Sequence, residues 1–238
     1  EALTTRYSVD MIAAGADMTS KQADEVAKIK GIKDSIYAPT RMMSMKDANG
    51  KDLNVLIVGV DGVDALRKVV RADLSGVTIS GDSVLMPKYS AATGKDISLG
   101  KSVTFTSDVS GSQTGTADAA ASDTENDGGQ SDGVQTLTLA PQKVDYRRIS
   151  ANYAAVAFVD AGHFTNGDVK ANGHIMLMRI DAESAGTTLN DVFTNVQNAF
   201  SASADIDVSG PVAARTQWET MINGMMALLV GLIAVAVL

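Results

Sequence analysis

The feature that most constrains this chain is an apolar run at its C-terminal end. The last eighteen of its 238 residues, MINGMMALLVGLIAVAVL, carry no charge, and Asn223 is their only strongly polar side chain. In a helix this run would span roughly 27 Å, close to the ~30 Å hydrocarbon core of a bilayer. A buried helix of a soluble protein usually keeps a polar stripe, and none is present after Asn223. We therefore expect a transmembrane helix within residues 213–238, with Trp218 near the membrane interface.

The position of this run indicates a piece cut from a longer membrane protein, in which a water-facing domain leads into a truncated transmembrane helix. The alternative is a core helix or a docking helix of a soluble protein. A signal peptide is excluded, because the run lies at the wrong end of the chain.

Composition excludes several classes of function. A formal charge of −8 and scattered Lys and Arg residues argue against a nucleic-acid partner, since phosphate binding needs clustered cations. The chain has no cysteine, which removes disulfides, thiol catalysis and Cys-ligated zinc. With only 5% aromatic residues, the core must depend on aliphatic side chains and Met.

Two separate parts of the chain show an alternation of strands and helices. For the first seventy residues the patterns predict a strand at 6–12, a helix at 20–30 capped by Thr19, a strand at 32–46 interrupted by Pro39, a hairpin turn at Asn49-Gly50, a buried strand at 53–60 and a helix from Val63 to Val70. Near the end they predict a strand at 175–180, a helix capped by Thr188, a strand at 205–208, a break at Pro211 and a last helix from about Ala213.

The segment between these parts differs in character. Short predicted strands at 77–79, 83–86, 102–106, 135–139 and 154–159 are separated by Gly, Ser, Thr and Asp. Within the segment, residues 107–133 are too polar to bury much surface, so they predict a mobile loop. The expected fold is α+β: an α/β unit formed by 1–75 and 161–212, interrupted by a β-rich insertion at 76–160, and followed by the linker and helix at 213–238.

No catalytic, cofactor or metal site is predicted. The segment from Gly94 to Ser102 resembles a phosphate loop, but its glycines are one residue too far apart and a strand follows it. The segment from Asp123 to Gly128 begins like a calcium loop, but position 12 is Val134 and we favour a solvated acidic loop. His163 and His174 lack metal-ligand spacing, and the Met residues at 42, 43, 45, 176 and 178 follow strand alternation, which favours packing. We therefore expect no enzyme.

Four stretches of the chain are informative when they are taken in order: Lys28 to Pro39, Asp82 to Pro87, Thr93 to Thr104 and the exit helix from Ala213 to Leu238. Together with the order of the predicted elements, they resemble the MacB-like extracytoplasmic domain of FtsX/MacB-type ABC transporter permeases. Lys101 stands where the family usually has Asp, and the 107–133 loop departs from the family's compact pattern.

The resemblance implies a porter-like α/β subdomain with a β-rich inserted subdomain, held on the extracytoplasmic side of a bacterial cell membrane. It also implies a dimer with a second permease copy and a cytoplasmic ABC ATPase on another chain or domain. An extracytoplasmic adaptor or a peptide cargo would be a further partner. In this family ATP hydrolysis is coupled to movement of the outer domain, which is called mechanotransmission.

A membrane-tethered ligand-sensing domain of a receptor is the competing hypothesis. Two further membrane helices after Leu238 would indicate the transporter, and a signalling module would indicate the receptor.

Overall fold

The computed structural model describes residues 7–107, 134–146, 148–150 and 152–236. These residues form a mixed β-sheet with helices on its faces, which confirms the α+β class. The elements in chain order are β1 (Met11–Gly15), α1 (Ser20–Ala27), β2 (Ile32–Lys46), β3 (Asp52–Val60), α2 (Val63–Val69), β4 (Ser83–Pro87), β5 (Val103–Ser107), β6 (Gln135–Val144), β7 (Ala155–Asp160), α3 (Gly162–Thr165), β8 (Gly173–Ile180), α4 (Leu189–Phe200), β9 (Asp207–Ser209) and α5 (Pro211–Ala236).

Part of the sheet closes on itself. The strand order is β3-β7-β4-β6-β5-β2-β8-β1-β9, and β3 also pairs with β2. The first six strands in this order therefore form a closed barrel, in which β3–β7 and β4–β6 are parallel pairs. Alternate side chains of these strands fill the interior, as a small barrel requires. The interior residues include Met43, Met45, Val55, Ile57, Val84, Met86, Phe105, Leu137, Leu139, Ala157 and Val159.

Strand β2 belongs both to the closed barrel and to the open remainder of the sheet. Its first part pairs with β8 from Ile32 to Thr40, and its second part pairs with β3 from Thr40 to Lys46. The predicted interruption at Pro39 is wrong, since β2 runs through it. At Pro39, β3 has not yet joined, so one edge of β2 has no strand partner there, a setting in which proline is tolerated.

The open half of the sheet comprises β2, β8, β1 and β9, and it is covered on both faces. On one face α1, α4 and the start of α5 pack against Met11, Met176 and Met178. On the other face α2 packs through Leu66 and Val69. The methionines at 43, 45, 176 and 178 are buried, which confirms their predicted packing role, while Met42 is 36% exposed.

The predicted helix starts agree with the structure. Thr19 and Gln22 form the capping box of α1, and the Thr188 hydroxyl accepts a hydrogen bond from the Asp191 amide at the start of α4. Helix α1 ends at Ala27, three residues earlier than predicted. Gly31 has a left-handed φ of +99°, and a Cβ at this position would lie 2.5 Å from Val192 Cγ2. A glycine is therefore required there by conformation and by the close approach of α4.

Two predicted strands differ from the structure. The first begins at Met11 rather than residue 6, and Tyr7 makes only an isolated bridge with Arg148. Residues 77–79 form no strand. The Gln142 side-chain amide instead occupies both backbone groups of Thr78, since its Oε1 accepts from the Thr78 amide at 3.2 Å and its Nε2 donates to the Thr78 carbonyl at 2.6 Å. A side chain thus replaces the partner strand.

Three further sequence predictions concern the division of the chain and its least regular parts. The sheet is continuous across the boundaries at 76 and 160, because β3 pairs with β7 along its length. The division into a porter-like subdomain and an inserted subdomain at 76–160 stays a prediction. Of the predicted loop at 107–133, only Ser107 is among the described residues. The calcium-like segment from Asp123 to Gly128 lies outside them.

Within the described residues, no helix combines the length and the hydropathy that a membrane crossing requires. The transmembrane helix predicted within 213–238 is therefore not confirmed.

Candidate functional site: the junction of helix α5 with the sheet

Helix α5 begins directly after the last strand, without a free linker. Pro211 is its first residue, a position that suits proline because the first amides of a helix have no partner within it. The chain changes from strand to helix at this point, as predicted, and the helix starts at Pro211, two residues before the predicted Ala213. Gly210 has a φ of +109°, and a Cβ there would lie 3.1 Å from the Asp10 carbonyl oxygen. The Val212 amide donates a 3.1 Å hydrogen bond to the same oxygen.

The first turns of α5 are buried in the domain. Val212 is 5% exposed, Ala213 and Thr216 are each 2% exposed, and the two apolar residues belong to the cluster under α1 and α4. The Thr216 hydroxyl lies 3.0 Å from both the Val212 and the Ala213 carbonyl oxygens. Its buried polar group is thus satisfied within the helix.

A buried ion pair fixes Asp10, the residue before β1 that accepts the hydrogen bond from the start of α5. The side chain of Asp10 is 5% exposed, and its two oxygens accept from the Arg71 guanidinium at 2.7 and 2.8 Å. One oxygen also accepts from the Ile180 amide at 2.9 Å. A bidentate, charge-assisted ion pair of this kind fixes the relative orientation of the two side chains as well as the distance between them.

Asp10 therefore joins four segments at one point. Its carboxylate contacts Arg71, which follows α2, and the last residue of β8. Its backbone carbonyl holds α5, and the Arg71 amide donates to the Ser8 carbonyl at 2.8 Å. The end of the sheet and the start of α5 are consequently one connected body; we call the residues Asp10, Arg71, Gly210 and Val212 the α5 junction.

Beyond the α5 junction the helix leaves the domain. From Gln217 to Met226, every residue whose side chain is described is exposed. Four apolar side chains, separated by three, four and seven residues from the first, lie on one face of the helix: Trp218 (59% exposed), Met221 (48%), Ile222 (51%) and Met225 (62%). A projecting helix with such a face can attach to a membrane or to other helices, while its buried start fixes its direction relative to the sheet.

The residues weighed as chemical candidates are distributed over the fold. His163 is 9% exposed, with Nδ1 2.9 Å from an Asp168 oxygen and Nε2 2.8 Å from the Gly81 carbonyl oxygen, so it links two loops. His174 stacks on Tyr37 with ring centroids 4.9 Å apart. Burial lowers the pKa of the His174 imidazole below 6.5, and a hydrogen bond to the backbone of Ala16 partly opposes this shift. The two histidines are not brought together.

The segment from Gly94 to Ser102 shapes turns before a strand. Gly94 has a φ of +66°, and β5 begins at Val103, so a strand follows the segment where a phosphate loop would be followed by a helix. In the described part of the chain, no three acidic or histidine side chains are grouped as a metal site would require.

Sequence reasoning missed the α5 junction. Asp10 lies among apolar residues in the predicted strand RYSVDMI, and a charge in that setting is a signal for a buried partner. The identity of the partner was not available, because Arg71 is 61 residues away and follows a helix with other cations nearby.

No protein-family profile matches the chain, and no curated protein matches it. Among solved structures, the extracellular domain of the noncanonic ABC-type transporter YknZ from Gram-positive bacteria is similar, with 13% identity and a TM-score of 0.41, over 84% of this chain and 100% of that chain. The periplasmic region of MacB from Actinobacillus actinomycetemcomitans is also similar, with 9% identity and a TM-score of 0.38, over 90% and 95% of the two chains.

Proposed function

We propose that the chain is the extracytoplasmic domain of an ABC transporter permease of the FtsX/MacB type, in which cytoplasmic ATP hydrolysis moves the outer domain for export or for a cell-envelope process. The observation that carries the proposal is the α5 junction. A helix that is buried at its start, held through Asp10 and exposed at its described side chains from Gln217 to Met226 is suited to transmit motion between the domain and whatever holds its far end.

The mechanism follows from the short connection. Between the end of β9 at Ser209 and the start of α5 at Pro211 there is one residue, Gly210, and the α5 junction holds it against β1. A tilt of α5 therefore displaces β9 and β1 directly. The ion pair between Asp10 and Arg71 passes the same displacement to the segment after α2, and the Ile180 contact passes it to β8.

The proposal includes partners and a location. The far part of α5 would lie in a bacterial cell membrane, the domain would face the extracytoplasmic side, and a second permease copy and a cytoplasmic ATPase would complete the transporter. An extracytoplasmic adaptor or a peptide cargo would contact the outer domain. The domain itself would carry out no catalysis.

The test is to insert Gly-Gly-Ser between Gly210 and Pro211 in the full-length permease, co-expressed with its neighbouring ATPase. We expect the ATPase to co-purify and hydrolyse ATP as before, while resistance to a panel of peptides and antibiotics is lost. The control is the same insertion at the exposed turn between Asn49 and Gly50, which should keep resistance.

Two results would contradict the proposal. If the insertion at Pro211 leaves resistance at the wild-type level, the α5 junction does not transmit motion. If no ATPase associates with the wild-type protein, the transporter assignment is wrong and the receptor domain becomes the leading hypothesis.

A further inference from the structure

The segment after β7 covers one end of the barrel. It contains α3 and a turn, and it returns to the barrel at Val169, which is 1% exposed and belongs to the interior cluster. Phe164 of α3 packs against β3, since a Cβ at Gly59 would lie 2.6 Å from a carbon of its ring. The Ala161 amide also donates to the Val60 carbonyl at 3.0 Å. We call residues 161–169 the barrel cap.

His163 in the barrel cap has both ring nitrogens beside oxygens that only accept. Its Nδ1 lies 2.9 Å from an Asp168 carboxylate oxygen, and its Nε2 lies 2.8 Å from the Gly81 carbonyl oxygen. A neutral imidazole has one N–H, so it satisfies one contact and places a nitrogen lone pair against an oxygen at the other. The imidazolium donates from both nitrogens and satisfies both contacts.

The two contacts join different parts of the fold. Asp168 belongs to the barrel cap, whereas Gly81 is 82 residues from His163 and lies just before β4. His163 is 9% exposed, so water has little access to replace a contact that fails. A buried polar atom that loses its partner is costly, and the ring therefore ties the barrel cap to the entry of β4.

The charged residues around these contacts are mostly acidic. Asp168 touches the ring, Asp160 precedes the barrel cap, Asp61 follows β3, and Asp82 lies at the entry of β4. Lys170 is a cation just beyond the barrel cap, and its amide donates to the Gln135 side chain at 3.0 Å. Four carboxylates and one ammonium favour a positive charge at the position of the ring.

We propose that His163 is a proton-operated clasp on the end of the barrel. The protonated ring ties the barrel cap to the entry of β4, and loss of the proton releases one of the two ties. Because the tied state holds one more proton, low pH favours the closed cap and high pH loosens it. Neither the clasp nor its test depends on the proposed transporter function.

Hydrogen exchange of the full chain, resolved by residue, tests the clasp at pH values on either side of the ~6.5 at which a free histidine titrates, about 5.5 and about 7.5. The readout is the protection of the Phe164, Asn166 and Val169 amides, each bonded to a carbonyl within the barrel cap. After correction for intrinsic exchange rates, we expect about tenfold more protection at the lower pH, as loss of a hydrogen bond to a charged group implies. Equal protection at the two pH values would overturn the proposal.

Asp168→Asn separates the proton from the contact. The new side-chain amide can donate to an unprotonated Nδ1 while Nε2 donates to Gly81, so both ties survive without the proton. The Asp168 side chain is 53% exposed, so the change leaves the core intact. We expect this variant to keep the barrel cap protected at both pH values.

Two more variants complete the test. His163→Gln should also remove the pH dependence, because its side chain does not titrate. Asp52→Asn is the matched control, since this exposed carboxylate is paired with Lys46 at 2.8 Å, and it should keep the wild-type ratio. If the dependence persists in Asp168→Asn or in His163→Gln, another group controls the barrel cap and the clasp is wrong.

Discussion

Asp10 has the most demanding environment of the described acidic residues, because its carboxylate is almost completely buried and serves two partners. Replacement by Asn would leave the Arg71 guanidinium without its counter-charge and weaken the contact with the Ile180 amide. We expect Asp10→Asn to lower the free energy of unfolding by about 3 kcal/mol, since removing one partner of a buried ion pair leaves the other uncompensated. Urea denaturation measures this loss.

The matched control is the ion pair between Lys46 and Asp52, whose side chains are 69% and 76% exposed. Asp52→Asn should cost less than about 1 kcal/mol, as exposed pairs do. Equal losses for the two variants would show that the buried pair contributes no more than the exposed one.

His174 gives the domain a stability that depends on pH. Because burial lowers its pKa in the folded state, the unfolded chain binds a proton at higher pH than the folded chain does. The stabilising contribution is complete above the ordinary pKa of 6.5, and it is lost as the pH falls toward the lower pKa of the folded state. We expect His174→Phe, which keeps an aromatic ring beside Tyr37, to reduce the dependence of unfolding free energy on pH below about 6.5. An unchanged slope would contradict the assignment.

At the scale of elements, the connection from α1 to β2 depends on one glycine. Gly31→Ala combines a left-handed φ with a contact of 2.5 Å to Val192 in α4, so we expect a loss of about 2–4 kcal/mol in unfolding free energy. Gly50→Ala is the control, because Gly50 has a similar φ of +78° and nothing within 4 Å of the added Cβ. It should lose only about 1 kcal/mol, the cost of the backbone strain alone.

Sequence patterns predicted those elements whose signals are local. The caps at Thr19 and Thr188 and the buried strand β3 are each determined by residues within one turn or one strand. The pairing of β3 with β7 joins segments about one hundred residues apart, and β2 meets β5 across 62 residues, from Ser44 to Thr106. The periodicity of a strand does not name such a distant partner. The side-chain amide of Gln142 that replaces a strand at Thr78 carries no sequence signal at all.

For the candidate site, the sequence predicted the helix but not its attachment. An apolar helix from about Ala213 follows from composition alone. That Gly210 lies against Asp10, and that Asp10 pairs with Arg71, depends on contacts between the two ends of the domain. These contacts form only when β9 pairs with β1, and no local pattern contains them.

At the scale of the whole molecule, β2 makes the barrel and the open sheet one mechanical unit. Its fifteen residues pair with β8 in one half and with β3 in the other, so neither half can lose β2 without disrupting the second. We therefore expect both halves to unfold together. Native-state hydrogen exchange should give equal opening free energies, within about 1 kcal/mol, for the central amides of β7 and β8.

The contrary result would be two separate opening free energies, one for each half. Such a difference would mean that β2 can release one of its partners while it keeps the other, and that the predicted subdomains are energetically independent.

The link between β1 and α5 runs from a backbone amide at Val212 to a backbone carbonyl at Asp10. Alanine scanning will not detect such a link, and genetic drift can change both side chains while the link persists. Related chains could therefore share this attachment with no residue in common at either position. Only a change to the main chain itself can remove it, such as Val212→Pro, which a first helical turn tolerates, or replacement of that amide by an ester.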